Sequence, residues 1–134
     1  MKLIGPTAFF GAISGFACVA IGAFGAHALK DAQAKEWVEI GFRYHALHTM
    51  ASFASISFRN WGAPLARYTP PFFFGGIILF SGSLYLMALG APRWFGAITP
   101  IGGLCFLIGW AILAKAGLDL YRMSLNNASE DASP

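Results

Sequence analysis

Apolar residues run along this chain in four long stretches, separated by short segments that hold most of the charged and turn-forming residues. The stretches cover roughly residues 3–28, 41–58, 71–89 and 98–116. Each is close to the length of about 20 residues that a helix needs to cross a hydrocarbon core about 30 Å thick. The pattern predicts an all-α fold, an integral membrane bundle of four transmembrane helices joined by short loops.

The end of the chain differs in character from these stretches. Residues 124–134 include Asn126 and Asn127 and contain few apolar side chains. Such a segment cannot bury enough apolar surface to offset the entropy of ordering it. We therefore expect a four-helix transmembrane domain over residues 1–123, followed by a polar, disordered tail over residues 124–134.

The composition strengthens the assignment to a membrane. Hydrophobic residues make up 57% of the chain and charged residues only 11%, whereas soluble domains carry about 25% charged residues. The net charge is +3, but the nine Lys and Arg residues are scattered between the apolar stretches rather than gathered on one face, as a nucleic-acid surface would require. We expect the lipid bilayer as the main partner, a membrane protein or a second copy as a further partner, and no nucleic acid.

The basic residues also predict an orientation. Four spans would place both termini and the second loop on one side of the membrane, and the first and third loops on the other. Loops rich in Lys and Arg tend to stay in the cytoplasm, and the terminal side carries five basic residues against four, so we expect cytoplasmic termini. The five are Lys2, Arg59, Arg67, Lys115 and Arg122, and the four are Lys30, Lys35, Arg43 and Arg93.

Small residues recur within the apolar stretches at positions suited to helix packing. Lipid provides no hydrophobic drive between helices, so close backbone contact through small side chains holds such bundles together. The glycines expected to have this role are Gly11, Gly15, Gly22, Gly25, Gly82, Gly102 and Gly103.

Polar residues mark one place where chemistry is conceivable. On the second predicted helix, His45, His48, Ser52 and Ser55 follow one another at spacings that put them on one stripe. Ionisable side chains within a span usually face the bundle interior and are functional candidates by default. Because the segments concerned all approach one membrane face, we expect a single polar layer that includes all three histidines. The candidate residues of this layer are His27, Arg43, Tyr44, His45, His48, Ser81 and Tyr85.

Two interpretations of this layer remain open at the level of sequence. The residues could form a ligand or substrate site, or they could be structural, with each histidine bonded to a carbonyl across a helix pair and Arg43 and Tyr44 reaching for the interface. No Cys, Asp or Glu stands beside the histidines within the spans, so no metal site is expected. The sequence points to no particular cofactor.

Signatures of catalysis are missing from the sequence. It contains no G-x-S-x-G, no H-E-x-x-H and no Walker loop, and we expect neither catalytic residues nor enzymatic activity. The acidic residues lie in predicted loops, at span ends or in the tail. A proton-coupled exporter needs an ionisable group within the membrane, and only histidine could serve here.

Several motifs together resemble those of a known family. They are Gly22-Ala23-Phe24-Gly25-Ala26-His27, Tyr44 followed by His48-Thr49, Leu79-Phe80-Ser81-Gly82-Ser83-Leu84-Tyr85, and Thr99-Pro100-Ile101-Gly102-Gly103 followed by Phe106-Leu107 and Gly109-Trp110. They occur on all four predicted helices. The chain thus resembles the YgdD/YwdK-like family of small uncharacterised bacterial inner-membrane proteins, of the UPF0382 type.

The resemblance implies a four-helix, multi-pass protein of the bacterial inner membrane, and no activity or catalytic residue comes with it. Our leading hypothesis is a membrane protein that acts by binding, either as an accessory or scaffold component of a larger assembly or as a receptor for a lipid-soluble small molecule. The alternative is a small oligomeric transporter or proton-relay unit that uses the intramembrane residues His27 and His48.

Overall fold

The chain folds into helices packed side by side, as a computed structural model describes for residues 4–131. These residues contain no β-strand, which confirms the predicted all-α class. The longer helices are α1 (Ile4–Ala28), α2 (Ala32–Asn60) and α5 (Thr99–Asp131), with two short ones, α3 (Thr69–Gly76) and α4 (Gly82–Ala88), between α2 and α5.

The segment from Pro64 to Ala88 forms one rod with changes of helical pitch. It begins with a 3-10 turn, Pro64–Tyr68, continues as α3, widens into a π-helical turn at Ile77–Ser81, and ends as α4. Pro64 begins the 3-10 turn, and Pro70 and Pro71 lie in the first turn of α3, where a missing N–H leaves no intrahelical bond unmade. The π turn displaces the end of the rod relative to a regular helix. Its last residue, Ser81, donates a hydrogen bond to the carbonyl of Gly41 on α2 at 2.7 Å.

Three of the rods are long and apolar enough to cross a membrane, namely residues 5–28, 64–88 and 93–130. The fourth, α2, is 29 residues long but more polar than the others. The charged residues Lys35, Glu36, Glu39 and Arg43 in its first half are exposed, whereas five polar residues further along are buried against the rest of the protein. The five are His45, His48, Thr49, Ser52 and Ser55. The structure thus shows a membrane-type helical bundle in which α2 is the central helix.

Helix α2 packs against α1 along one side and against the α3–α4 rod along another. Glycines of α1 allow the close approach. A Cβ added at Gly25 would stand 2.4 Å from Val38 Cγ1, and one added at Gly11 would stand 2.7 Å from the Phe53 ring. The remaining helix, α5, packs on α3 and the π turn, where a Cβ at Gly102 would lie 2.3 Å from the backbone nitrogen of Phe80.

The other glycines predicted to pack show a mixed result. A Cβ at Gly22 would stand 2.8 Å from the Phe42 ring, which is again too close. At Gly15, Gly82 and Gly103 the nearest atoms would lie at 3.8 Å or more. These three positions have room for a methyl group, so packing does not require glycine there.

The polar tail differs from the prediction of disorder. Helix α5 continues through residues 124–131, and the side chains from 121 to 130 are exposed. Once a helix is nucleated, each further hydrogen bond requires the ordering of only one residue, so extension is easier than nucleation. No Gly or Pro interrupts residues 118–131, so nothing stops α5 at the end of its apolar stretch. Residues 132–134 lie outside the described part of the chain.

Candidate functional site

The polar side chains of α2 fall into two groups that face different neighbours. The first, which we call the His45 network, consists of Ser14, His45, Thr49 and Tyr85. The second, the His48 cluster, consists of His48, Tyr44, Phe73, Phe106 and Trp110. Both histidines are buried, with 4% of His45 and 2% of His48 exposed, so their hydrogen-bond partners decide which proton positions each ring can adopt.

The His45 network joins α1, α2 and α4 through hydroxyl groups. Ser14 Oγ lies 3.0 Å from His45 Nε2 and 2.7 Å from Thr49 Oγ1. On the other side of the ring, His45 Nδ1 lies 3.2 Å from the Tyr85 hydroxyl. A hydroxyl can either donate or accept. The network is therefore compatible with a proton on Nδ1, on Nε2 or on both nitrogens of His45.

The His48 ring has partners whose roles are fixed. Its Nδ1 lies 2.7 Å from the carbonyl oxygen of Tyr44, which only accepts, so Nδ1 carries the proton and donates. The indole Nε1–H of Trp110, which only donates, points at His48 Nε2 at 3.0 Å. Nε2 must then be unprotonated. The geometry allows a single state of His48, the neutral ring with its proton on Nδ1.

Aromatic rings surround His48 on the remaining sides. The ring stacks on Phe106 with 3.5 Å between centroids and 8° between planes, and the buried Phe73 ring lies 5.5 Å away. Glycines on the opposing helices make room for these rings. A Cβ at Gly109 would stand 2.5 Å from Phe73, and one at Gly76 would stand 2.4 Å from Phe106. The glycines thus place large aromatic side chains beneath His48 without separating the helices.

A groove opens above this cluster, between α2 and α5. Its volume is about 600 Å³ and its walls are mostly apolar and aromatic. The Tyr44 ring lies 4.4 Å from the Phe80 ring on one side. The Tyr44 hydroxyl has no hydrogen-bond partner among the described residues, so it is a free polar group in an apolar wall. The groove is lined by Tyr44, Leu47, His48, Phe80, Pro100, Gly103, Leu104, Phe106, Leu107 and Trp110; we call it the α2–α5 groove.

The structure separates His27 from the other two histidines. Ser14 bonds to Thr49, beside His48, and His27 follows Ser14 by 13 residues, which is about 20 Å of helix. His27 is exposed at the end of α1. The single layer of three histidines expected from the sequence is therefore wrong, because the two helices run antiparallel in a register that puts His27 opposite the start of α2.

The remaining predicted residues have different surroundings. Arg43 is exposed and pairs with Glu39 on the same helix, so it does not face either histidine. Ser81 is fully buried on Gly41, and Tyr85 belongs to the His45 network. The structure therefore brings Tyr85 to His45 and Tyr44 to His48, and it leaves Arg43 outside both groups.

Sequence reasoning missed Ser14, Thr49 and Trp110 as partners of the histidines. A signal existed for Trp110, because it lies inside the fourth apolar stretch rather than at its end, and a tryptophan removed from the interface needs a partner for its N–H. No comparable signal existed for Ser14. Its role follows from the register of α1 against α2, which residue spacing does not reveal.

Comparison with known proteins places this site in a family context. A family model described as "Protein of unknown function (DUF423)" matches residues 21–103. The chain belongs to this family. The matched residues include both histidines of α2, Tyr44 and Tyr85, whereas Phe106 and Trp110 lie just beyond them.

Curated relatives in the family are named as membrane proteins. A "UPF0382 membrane protein" of Haemophilus influenzae is 45% identical over 106 residues, which cover 77% of this chain and 86% of the relative. The "UPF0382 inner membrane protein YgdD" of Escherichia coli K12 is 39% identical over 122 residues, 88% of this chain and 93% of the relative. The "UPF0382 membrane protein YwdK" of Bacillus subtilis is 34% identical over 113 residues, 81% and 92% respectively.

These names confirm the family resemblance and the membrane setting. No solved structure shows significant similarity to the chain. The family description assigns no activity.

Proposed function

We propose that this DUF423 protein binds a lipid-soluble small molecule in the α2–α5 groove and that it has no enzymatic activity. The observation that supports the proposal is the groove itself, about 600 Å³ in volume, within the range of about 300–1,000 Å³ that is usual for small-molecule sites. Such sites combine apolar and aromatic walls with a few placed polar groups. Here the free hydroxyl of Tyr44 is that polar group.

The lining restricts the chemistry of the ligand. Both ring nitrogens of His48 are already bonded, so neither is available to a ligand. The Tyr44 hydroxyl can donate to a carbonyl or ether oxygen, while the Tyr44, Phe80 and Phe106 rings offer faces and edges to a flat ring. The favoured ligand is therefore an apolar molecule that carries a ring and an oxygen acceptor and reaches the groove from the lipid phase.

The experiment fills the groove by replacing one of its glycines with a larger residue. A Cβ at Gly103 would contact only the Phe80 ring, at 3.8 Å, so Gly103→Leu should fold and fill the groove with its side chain. The control is Gly75→Leu, because Gly75 has no atom within 4 Å of an added Cβ. Both variants, and the unmodified protein, are purified from membranes, and non-phospholipid molecules in their lipid extracts are identified by mass spectrometry.

We expect the unmodified protein and Gly75→Leu to retain the same lipid-soluble compound, and Gly103→Leu to retain about tenfold less, which corresponds to about 1.4 kcal/mol of binding free energy. Equal retention by Gly103→Leu, or no such compound in the unmodified protein, would contradict the proposal.

The proposal includes an arrangement in the membrane. All four rods cross the inner membrane, α2 among them, since its buried polar groups face protein rather than lipid. The excess of basic residues on the terminal side favours cytoplasmic termini. Reporter fusions test both points. A C-terminal reporter active only in the periplasm would overturn the orientation, and a fusion at Lys35 that reports the same side would overturn the four-span count.

A second candidate function is a small oligomeric transporter or proton relay. The His45 network favours it, because its hydroxyls can reverse the direction of donation. The fixed partners of His48 argue against it, since a relay through His48 would have to break the bond from Trp110. Liposomes containing the protein test this function. We expect no uptake driven by a pH gradient, and robust uptake that vanishes in His48→Asn would replace the binding proposal with the transporter.

An accessory or scaffold role is compatible with binding in the groove. Large apolar side chains on the outer face of α1, such as Phe16 and Val19, are 79% and 70% exposed. They face either lipid or another membrane protein, which includes a second copy of the chain. Crosslinking in native membranes would distinguish contact with lipid from contact with another protein.

A further inference from the structure

A second cavity lies at the other end of the bundle, where α1 begins, α2 ends and the α3–α4 rod begins. Its volume is about 230 Å³. Two arginines, Arg59 and Arg67, line it together with prolines and phenylalanines, and none of the described residues that line it carries a carboxylate. The lining residues are Pro6, Thr7, Phe10, Ser55, Ile56, Arg59, Arg67, Pro70, Pro71 and Phe74; we call this cavity the arginine pocket.

Neither guanidinium group pairs with an acid among the residues that the structure describes. Arg59 is partly buried and makes no ion pair or hydrogen bond through its side chain within residues 4–131. Arg67 donates to the Tyr68 hydroxyl and lies over that ring at 4.5 Å, but it meets no acid. By contrast, Arg43 and Lys115 each pair with an acid four residues away on the same helix. The arginine pocket thus concentrates positive charge without a counter-ion.

We propose that the arginine pocket binds the phosphate of an anionic phospholipid headgroup. Guanidinium groups bind phosphate oxygens through paired, charge-assisted hydrogen bonds, and two of them line this cavity. Basic pockets between membrane helices near the cytoplasmic surface are suited to such headgroups. The cavity lies at the end of the bundle that carries the N-terminus of α1, which is the side we assign to the cytoplasm.

The walls of the arginine pocket indicate a lipid rather than a free anion. Phe10 on α1 and Phe74 on α3 form apolar surface directly beside the two arginines. A volume of about 230 Å³ is too small for a whole phospholipid but accommodates a headgroup. The acyl chains would then lie along the outer face of α1, where Phe10 and Ile13 are 57% and 51% exposed.

The charge of the arginine pocket also indicates which headgroup it prefers. A zwitterionic headgroup carries an ammonium group beside its phosphate, and no described residue of the pocket lining offers a carboxylate to receive it. A phosphate without a neighbouring cation avoids this mismatch. Phosphatidylglycerol should therefore bind in preference to phosphatidylethanolamine.

The test compares lipids retained by the full-length protein in detergent, after exchange into equal amounts of phosphatidylglycerol and phosphatidylethanolamine. Native mass spectrometry measures the lipid bound to the unmodified protein, to the double variant Arg59→Gln/Arg67→Gln, and to Arg122→Gln. Arg122 is the matched control because it is basic, exposed and outside the pocket. A thermal unfolding curve for each protein establishes that it is folded. If the glutamine variant does not fold, the double variant Arg59→Lys/Arg67→Lys, which keeps both positive charges, is measured in its place.

We expect the unmodified protein to bind phosphatidylglycerol about tenfold more tightly than phosphatidylethanolamine. The affinity for phosphatidylglycerol should fall about tenfold in the glutamine variant and stay unchanged in Arg122→Gln. Equal binding of the two lipids, or full retention by the glutamine variant, would overturn the proposal. If the glutamine variant does not fold, binding of phosphatidylglycerol to the lysine variant as tightly as to the unmodified protein would overturn the proposal as well, because lysine keeps the charge but cannot form the paired hydrogen bonds. Inorganic phosphate is tested in the same way. If it displaces phosphatidylglycerol and raises the unfolding temperature as much as phosphatidylglycerol does, the site binds a free anion and the lipid assignment is wrong.

Discussion

Two histidines three positions apart on α2 occupy opposite kinds of surroundings. His45 lies among the hydroxyls of Ser14 and Tyr85, which adjust to whichever ring nitrogen carries the proton. His48 lies between a carbonyl and the indole N–H of Trp110, which leave it one state. The comparison shows that the neighbours of a buried histidine, rather than its depth in the bundle, determine whether its proton can move.

The two surroundings also differ in the contacts that each histidine ring makes. Around His48, glycines on α3 and α5 admit Phe73 and Phe106 at distances that leave no room for a methyl group. Around His45, a glycine also makes room for an aromatic ring, since a Cβ at Gly41 would stand 2.7 Å from the Tyr85 ring. The histidine itself is held there by hydrogen bonds to the hydroxyls of Ser14 and Tyr85, which can be rearranged. We therefore expect substitutions on the His48 side to cost more stability than substitutions on the His45 side.

The largest effect on stability is expected where α5 packs against the π turn. This contact places Trp110 within hydrogen-bond distance of His48. Gly102→Leu would bring a Cβ to 2.3 Å from the Phe80 backbone nitrogen, and backbone cannot yield as a side chain does. We predict a loss of about 3 kcal/mol or more in unfolding free energy, measured by denaturation in detergent. The matched control is Gly103→Ala, whose Cβ would lie 3.8 Å from the Phe80 ring and should change stability by less than about 0.5 kcal/mol.

The next effect concerns the bond between His48 and Trp110. His48→Leu removes the acceptor for the indole and the stacking on Phe106, and we predict a loss of about 2 kcal/mol. In a double-mutant cycle with Trp110→Phe, the coupling free energy should be about 1 kcal/mol. Additive losses in the two single variants would show that the pair does not form.

A smaller effect is expected in the His45 network. Ser14→Ala removes the hydroxyl that lies 3.0 Å from His45 and 2.7 Å from Thr49. Hydrogen bonds between membrane helices average about 0.6 kcal/mol, so we predict a loss of about 1 kcal/mol in the same assay. Ser57→Ala provides the control, because no side-chain hydrogen bond of Ser57 is found in the described chain. A loss in Ser14→Ala that exceeds the His48→Leu value would reverse the ranking of the two sides.

The smallest effect on stability is expected at Tyr44. Its hydroxyl has no partner among the residues that the structure describes, so Tyr44→Phe should change the unfolding free energy by less than about 0.5 kcal/mol. If the groove binds a molecule with an oxygen acceptor, the same variant should retain less of that molecule. Reduced stability with unchanged retention would show that the hydroxyl serves the fold and not a ligand.

The fold was largely predictable because a helix that crosses lipid requires a long run of apolar residues, which the hydropathy of the sequence shows directly. Each apolar stretch falls within a rod, although α2 (Ala32–Asn60) and α5 (Thr99–Asp131) extend well beyond the predicted stretches 41–58 and 98–116. The polar stripe on α2 correctly indicated its buried face. The polar tail was wrongly predicted as disordered, since its composition says nothing about the helix that precedes it. The π turn at Ile77–Ser81 was also not predicted, because hydropathy does not distinguish a π turn from a regular helical turn.

The candidate site was predictable only in part. Spacing on one helix identified His45 and His48 as buried, but it could not tell that they face different neighbours. The register between helices decides that question, and it is set by contacts such as Gly25 on Val38 and Ser14 on Thr49. For the same reason, the sequence placed His27 near His48 when the antiparallel pairing separates them.

The most direct test of this account is the position of the proton on the His48 ring. Nitrogen-15 NMR of the purified protein, with His48 assigned by comparison with His48→Asn, distinguishes a ring protonated on Nδ1, on Nε2 or on both. We predict a neutral His48 with its proton on Nδ1 alone, as the Tyr44 carbonyl and the Trp110 indole require. A proton on Nε2 would contradict the claim that His48 is a fixed part of the groove and would reopen its role as a relay.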